Sequence, residues 1–214
     1  MAGHSHWANI QRSKSKVDKR RGIVFSKWAK LIMSAARTGG GDPDANLKLR
    51  YAVDRARADN MPRDSIERAI KKGAGELEGA APEEVLYEAY AAGGVALVIE
   101  AITDNRNRTA PNLRAILSKR GGSLANAGAV SYMFKKKAVF AITRLGVDED
   151  EVMELALEQG ADDVDSSESE IYGIEADPGL YHALKASLEG RGWELLEAEL
   201  RWIPDNLTPV AAAD

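Results

Sequence analysis

The sequence predicts an α+β multidomain protein, in which an N-terminal three-helix bundle is followed by two α+β domains, the last with the βαββαβ order of a ferredoxin-like domain. Apolar residues recur at helical spacing up to about residue 72. After the Gly/Ala/Glu-rich connector "GAGELEGAAPEE" the pattern changes to short apolar runs alternating with helical segments. The net charge of −4 is divided into +10 over residues 1–72, +1 over 73–137 and −15 over 138–214. Such a division favours separate domains with separate partners.

The first predicted helix covers residues 17–38, where apolar side chains fall on one stripe. The stripe consists of Val24, Trp28, Leu31, Ile32, Ala35 and Ala36. The segment "TGGGDPDAN" ends this helix, and Asp42 followed by Pro43 is expected to begin the second, over about 43–59. Leu47, Tyr51 and Ala58 are its candidate core positions. A third helix is expected over about 63–72, with Ile66 and Ile70 inward and an end at Gly73.

The middle of the chain predicts a strand, a helix and a second strand. "GGVALVIEAIT" is the first strand, "DNRNRT" a turn, and "APNLRAILSKR" a helix with Leu113, Ile116 and Leu117 on one face. "GGSLANAG" is a loop and "AVSYMFKKK" the second strand. Residues 138–203 then give strand, helix, strand, strand, helix and strand, which is the ferredoxin-like order.

The sequence lacks the residues that several functional classes require. The chain has no Cys, which excludes disulfides and thiol catalysis, and no apolar run near the ~18 residues that span a membrane. It contains no nucleophile elbow, phosphate loop or dinucleotide fingerprint. The acids of the last third are expected to form a solvated surface. The sequence therefore predicts a protein that is not an enzyme, with no catalytic residue, metal, cofactor or small-molecule substrate.

The opening segment "MAGHSHWANIQRSKSKVDKRRG" has three interpretations. His4 and His6 could form a metal site, with Cu(II) or Ni(II) bound by nitrogen ligands. The basic, Ser-containing composition also fits a transit peptide. The third interpretation is a nucleic-acid-binding arm, in which Trp7 supplies a stacking ring, Asn9 an amide, and the Lys and Arg residues phosphate contacts. The excess of positive charge favours this third interpretation.

The candidate nucleic-acid-binding residues share a basic, aromatic or amide side chain in the basic third or in the "TDNRNRT" segment. They are His4, His6, Trp7, Asn9, Arg12, Lys14, Lys16, Lys19, Arg20, Arg21, Lys27, Arg50, Arg57, Arg63, Arg68, Lys71, Lys72, Arg106 and Arg108.

The "TDNRNRT" segment, residues 103–109, is open to two interpretations. If Thr109 caps the following helix, the free amides of that helix attract anions and Arg106 and Arg108 project beside them. Alternatively, Asp104 and its neighbouring asparagines only form a tight turn. Lys135, Lys136 and Lys137 at the end of the next strand could extend the same basic edge.

Five stretches resemble the YebC family. They are "MAGHSHWANI", "GGGDPDANLKLRYAV", "NMPRDSIERAIKKGAGELEG", "TDNRNRT" and "LSKRGGSLANAGAVSYMF". The resemblance covers residues 1 to about 207. Bacterial members are labelled probable transcriptional regulators, and mitochondrial relatives are translational activators of cytochrome c oxidase. The resemblance implies a non-enzymatic, cytoplasmic protein that works on nucleic acid or the ribosome, and it counts against a cleaved presequence.

The resemblance also implies three domains, with the ferredoxin-like one inserted in the middle one. The expected bounds are 1–78 for the basic arm and bundle, 79–137 plus 204–214 for the middle domain, and 138–203 for the acidic domain. The chain ends at "NLTPVAAAD", where family members usually continue with a helix and a strand. The middle domain is therefore expected to be C-terminally shortened, with an uncovered edge at which the protein self-associates.

The expected function is a regulator of gene expression that binds nucleic acid through its basic third. The family label favours DNA and transcription. Flexible arms with Trp and Arg suit folded or single-stranded RNA, including rRNA or tRNA, at least as well, so a ribosome-bound translation activator is the alternative. A protein-interaction adaptor that uses the acidic domain is a lesser alternative.

Overall fold

The computed structural model describes residues 21–78 and 81–207. The described residues fall into two compact units, 21–132 and 133–207. The described part of the first unit contains three N-terminal α-helices, a three-stranded sheet and a fourth α-helix, and the second unit contains a four-stranded sheet with two α-helices. The predicted α+β class with three N-terminal helices is therefore confirmed.

The helical bundle is formed by α1 (Arg21–Gly39), α2 (Leu47–Ala58) and α3 (Arg63–Gly73). The predicted stripe of α1 is confirmed, because Trp28, Ile32, Ala35 and Ala36 are buried. The predicted core face of α2 is wrong. The buried residues of α2 are Leu49, Ala52, Val53 and Ala56, whereas Leu47 is 54% exposed.

Helix α2 also begins later than predicted. Asn46, not Asp42, caps the helix, and its side-chain oxygen accepts a hydrogen bond from the Leu49 amide at 3.1 Å. Its side-chain nitrogen donates to the carbonyls of Ala35 and Gly40, both at 2.9 Å. Asn46 is buried, so one side chain both starts α2 and ties it to the end of α1. Asp42 instead accepts from the Asp44 amide in the preceding turn.

The first sheet contains β1 (Glu83–Tyr90), β2 (Ala96–Thr103) and β3 (Ser123–Leu124), in the spatial order β2-β1-β3. β1 pairs antiparallel with both neighbours. Strand β1 was not predicted from the sequence, in which its first two residues belong to the connector "GAGELEGAAPEE". Three of the eight residues of this strand are glutamates, and glutamate is depleted in strands.

Helix α4 (Arg106–Ser118) begins four residues before the predicted one. Asn105 caps it and accepts a hydrogen bond from the Arg108 amide, so of the two interpretations of this segment the one in which Thr109 caps the helix is wrong. Thr109 lies in the first turn, where its hydroxyl is 2.7 Å from that of Thr103. Leu113 and Leu117 are half-buried, whereas Ile116 is 60% exposed.

The second unit contains β4 (Phe134–Thr143), α5 (Glu149–Glu158), β5 (Asp163–Asp165), β6 (Ile171–Ala176), α6 (Tyr181–Gly190) and β7 (Leu195–Pro204). The four strands are antiparallel neighbours in the spatial order β5-β6-β4-β7. The element order βαββαβ agrees with the sequence analysis. On one face of the sheet, the ring of Phe140 stacks on that of Tyr181 in α6, with centroids 5.5 Å apart.

The predicted strand "AVSYMFKKK" is not a separate element. Ser131–Met133 form a short 3₁₀ turn, and β4 begins at Phe134 and runs without interruption to Thr143. Lys135, Lys136 and Lys137 consequently belong to the first half of β4. The expected domain bound between residues 137 and 138 falls inside this strand.

Within residues 21–78 and 81–207, no helix has the length and apolar character needed to cross a membrane.

Glu88 of β1 organises the loop that leads out of the first sheet. Its carboxylate accepts hydrogen bonds from the amides of Gly128 at 2.6 Å, Val130 at 2.6 Å and Ser131 at 2.8 Å. These amides lower the pKa of Glu88 to about 2, against the opposing effect of burial. The folded pKa is below that of an unfolded glutamate, about 4.3. Ionised Glu88 therefore stabilises the fold of the first unit at pH values above about 4.3. This contribution to stability is lost as the pH falls toward 2.

We predict that Glu88→Gln loosens the loop of residues 126–131 at neutral pH. A carboxamide offers one acceptor oxygen instead of two, and its NH₂ group meets amide donors. Hydrogen exchange of the Gly128, Val130 and Ser131 amides should accelerate on the order of ten-fold. The exposed Glu78→Gln variant is the control. Equal exchange rates in the two variants would contradict the prediction.

Gly73 is the point of close approach between α3 and α1. A Cβ atom at this position would lie 2.4 Å from the Met33 carbonyl oxygen and 2.8 Å from the Ala36 side chain. The absence of a side chain at Gly73 therefore determines how closely the two helices pack.

We predict that Gly73→Ala lowers the free energy of unfolding by about 1–3 kcal/mol, because the methyl group meets backbone that cannot move aside. This cost exceeds the ~1 kcal/mol that alanine gains over glycine within a helix. Urea denaturation measures the effect. Gly22→Ala in α1 is the matched control, since no atom lies within 4 Å of its Cβ position. Equal midpoints for the two variants would count against the close approach.

Candidate nucleic-acid interface

The arm itself lies outside the described residues. This applies to His4, His6, Trp7, Asn9, Arg12, Lys14, Lys16, Lys19 and Arg20, and with them to the metal-site and transit-peptide interpretations. Arg21 is the first residue of α1. The structure therefore describes the surroundings of the remaining candidate residues, which are Lys27 of α1 and those of α2, α3 and α4.

Three candidate cations lie in the second half of α3 and have no carboxylate partner within the described part of the chain. They are Arg68 and Lys71, which are exposed, and Lys72, which is half-buried. Lys71 and Lys72 are in the last turn of α3, where the negative end of the helix dipole favours positive charge. This position explains how the bundle accommodates three neighbouring cations, and it leaves them available for phosphate groups.

A groove of about 330 Å³ lies beside these cations, between α1 and α3. Its wall is apolar where Phe25, Ala29 and Met33 line it, and Arg68 and Lys72 add two positive charges. An apolar surface flanked by cations can hold the flat face of a base while the cations meet the phosphate backbone.

A second, larger cleft of about 710 Å³ lies between the start of α1 and β2. Lys27 and Lys30 line it from the helix, and Glu100 and Ile102 from the strand. Both lysines are exposed. Lys30 was not among the predicted site residues, although its spacing of three residues from Lys27 places the two on one helix face.

Three of the predicted site residues in the bundle have carboxylate partners. Arg63 contacts Glu67 at 2.7 Å, and Arg57 lies 3.8 Å from Asp54. Arg50 contacts Asp44 at 3.1 Å and also donates to the carbonyls of residues 43 and 44. Arg50 therefore fastens the turn before α2, and all three arginines are less available for phosphate than the cations of α3.

Arg106 and Arg108 are brought together at the start of α4, but each faces an acid. Arg106 contacts both carboxylate oxygens of Glu83, at 2.7 and 2.8 Å, and lowers the pKa of that glutamate. Arg108 contacts Asp104 at 2.5 Å. Because Asn105 already accepts from the Arg108 amide, a first-turn amide of this helix has a partner within the protein.

Trp28 belongs to the bundle core and does not form a stacking platform. It is 7% exposed, and its indole Nε1 donates to the Asp59 carboxylate. Lys27 and Arg55 approach its ring, with their charged groups 5.7 and 5.9 Å from the centroid.

The three lysines of β4 belong to the second unit and meet acidic or aromatic neighbours. Lys135 contacts Asp205 at 2.9 Å and Lys137 contacts Asp162 at 2.6 Å. The Lys136 ammonium lies 5.7 Å from the centroid of the Trp202 ring. These contacts stabilise the second sheet.

Two family models match the chain. The model described as the TACO1/YebC protein N-terminal domain matches residues 5–76, and that described as the TACO1/YebC second and third domain matches residues 82–214. Curated relatives carry the name "probable transcriptional regulatory protein". One from Treponema pallidum (strain Nichols) is 49% identical over 206 residues, covering 96% of this chain and 84% of the relative. One from Hathewaya histolytica is 50% identical over 211 residues, covering 98% and 85%.

A solved structure gives the same result. The crystal structure of a conserved hypothetical protein from Aquifex aeolicus is 46% identical in sequence and superposes with a TM-score of 0.79, covering 94% of this chain and 82% of that one. Because the two family models together match nearly the whole chain, and relatives near 50% identity extend over most of their own length, this chain belongs to the TACO1/YebC family.

Proposed function

We propose that this protein is a non-enzymatic regulator of gene expression that acts in the cytoplasm and binds nucleic acid through its basic N-terminal third. The names of its relatives support a regulatory role. The observation that carries the nucleic-acid part is the group of Arg68, Lys71 and Lys72 beside an apolar groove, in a segment with a net charge of +10.

Binding draws its free energy from the release of counterions when Lys and Arg replace them on phosphates. The arm supplies cations at residues 12, 14, 16, 19 and 20, Arg21 of α1 supplies another, and the second half of α3 supplies three more. The groove adds apolar contact with a base or sugar. DNA is the first candidate, because the relatives are named as transcriptional regulators.

Ribosomal or other structured RNA is the second candidate, and one observation favours it. A groove with Phe25 on its wall and Arg68 beside it suits an unstacked base, which is a feature of RNA loops and single strands. Protection of a defined promoter in footprinting identifies DNA as the target. Co-sedimentation with ribosomes that is lost at high salt identifies RNA.

We predict that replacing Arg12, Lys14, Lys16, Lys19, Arg20 and Arg21 by Gln lowers the affinity for 20-nucleotide single-stranded RNA and for 20-base-pair DNA on the order of 100-fold near 0.1 M salt. The slope of log K against log salt should fall by several units, because each lost phosphate contact removes about one. Fluorescence anisotropy at four salt concentrations measures both quantities. Unchanged affinity and slope would refute the central role of the arm.

We further predict that the variant R68Q/K71Q/K72Q binds the same probes about ten-fold more weakly. Its matched control is R57Q/R63Q/R108Q, which removes the same number of charges from arginines that already face carboxylates. The control should change the affinity less than about two-fold. Equal losses would mean that only overall charge matters and that the end of α3 is no contact site.

A further inference from the structure

Strand β2 forms an outer edge of the first sheet. In the spatial order β2-β1-β3 it has β1 on one side and, among the described residues, no strand on the other. It is eight residues long, Ala96–Thr103, and its sequence "ALVIEAIT" contains one charged residue and no Pro, Gly or Lys. A long apolar edge strand of this kind is open to pairing with another strand.

The other three sheet edges in the described part of the chain are protected. On the far side of the first sheet β3 has only two residues, and β5 in the second sheet has three, two of which are aspartates. The fourth edge, β7, carries three charged side chains, shows a register shift against β4 and ends at Pro204. Short length, charge, irregular pairing and proline all discourage the addition of a strand. Among these four edges, β2 is therefore the one at which pairing is expected.

The pairing of β1 with β2 shows which backbone groups of β2 point outward. The Ala91 amide donates to the Val95 carbonyl at 2.8 Å, and the same register continues along both strands. Hydrogen-bonded and non-hydrogen-bonded pairs alternate along an antiparallel ladder, so the odd-numbered residues of β2 bond to β1. The even-numbered residues direct their amides and carbonyls away from β1. These residues are Ala96, Val98, Glu100 and Ile102.

A second copy of β2 fits this edge in one register. A two-fold axis at Ile99 makes the two strands antiparallel and pairs seven of the eight residues of each. Ala96 then lies opposite Ile102 of the second copy. Val98 lies opposite Glu100 of the second copy. Outward backbone groups therefore meet outward backbone groups on both strands, which is the condition for an antiparallel ladder.

The side chains are complementary in the same register. Ala96 faces Ile102 of the second copy, and in the neighbouring pair Leu97 faces Ala101. A small residue thus meets a large one in each of these pairs. A register centred on the next outward residue would instead place the two copies of Glu100 directly opposite each other, where like charges are unfavourable. The strand is complementary to itself, so a second copy of this chain is the partner that fits it.

The cleft between α1 and β2 adds charge complementarity. Lys27 and Lys30 line it together with Glu100 and Ile102, so the cleft has two cations and one carboxylate. Pairing brings Glu100 of the second copy to the same side of the sheet, diagonally across from the first and about 7–8 Å from it. The excess of positive charge in the cleft favours this second carboxylate.

We propose that β2 joins two copies of this chain edge to edge, in a closed dimer with its two-fold axis at Ile99 and one continuous six-stranded sheet. Because both copies use the same edge and the other edges are protected, association stops at the dimer. Seven paired residues span only about 24 Å. The interface is therefore smaller than the standard ~1,600 Å², and the dimer should dissociate on dilution. This association is independent of the proposed binding of nucleic acid.

Disulfide crosslinking of the full-length protein tests the register, because the chain has no cysteine of its own. Ile99 faces its own copy in a non-hydrogen-bonded pair, with Cα atoms about 4.5 Å apart, which a disulfide can bridge. Under mild oxidation at high micromolar concentration, I99C should form a disulfide-linked dimer. The matched control is L97C, on the same face of the same strand. It should remain uncrosslinked, because its two copies lie about 14 Å apart along the strands.

Sedimentation equilibrium of the cysteine-free protein is the second measurement. The wild-type protein should change from monomer to dimer as its concentration rises. Ala96→Pro removes an outward amide at the first residue of the strand, where proline is tolerated, and should weaken the dimer at least about ten-fold. Its control, Ala96→Ser, keeps the amide and should change the dissociation constant less than about two-fold.

Four results would overturn the proposal. They are equal disulfide yields from I99C and L97C, a wild-type protein that stays monomeric at every concentration, equal dissociation constants for the two variants of Ala96, and assemblies larger than a dimer.

Discussion

The close packing of α3 against α1 at Gly73 is the constraint on which the candidate interface depends. The missing side chain lets α3 approach the Met33 carbonyl of α1. The turns of α3 before this point line one side of the groove, and Phe25 and Ala29 of α1 line the other. A wider separation of the helices would change the groove and move Arg68 and Lys72 away from it. A backbone contact within the core of the bundle thus determines where surface cations lie.

Ion pairing then decides which cations of the basic third are available. Arg63 and Glu67 are four residues apart on one helix, so their pairing follows from sequence spacing. The pairing of Arg106 with Glu83 does not follow from spacing, because it joins the start of α4 to β1, a strand that was not predicted. The number of Lys and Arg residues gives the sign of the surface charge. Strand pairing and helix caps determine which of these cations lie beside a carboxylate.

Helices and strands are predicted best from the sequence where apolar residues recur at a regular spacing. The stripe of α1 and the βαββαβ order of the second unit are of this kind. The cap of α2 was assigned to Asp42, because Asp-Pro is a typical helix start. Asn46 caps the helix instead, since its amide can also reach the carbonyls of Ala35 and Gly40, and this tertiary contact has no sequence signal. The core face of α2 was wrong because Leu47 and Tyr51 form one apolar stripe and Leu49, Val53 and Ala56 form another, and periodicity alone does not choose between them.

The segregation of charge along the chain has a physical consequence within one molecule. A strand of phosphates gains free energy when lysine and arginine replace its condensed counterions, and the basic third of the chain carries the excess of such side chains. In the acidic third, Lys137 contacts Asp162 at 2.6 Å and Arg201 contacts Glu197 and Glu199, so these cations neutralise carboxylates of their own unit. The remaining carboxylates repel phosphate. The proposed binding of nucleic acid is therefore confined to the basic part of the chain, and the slope of its salt dependence measures how many cations take part.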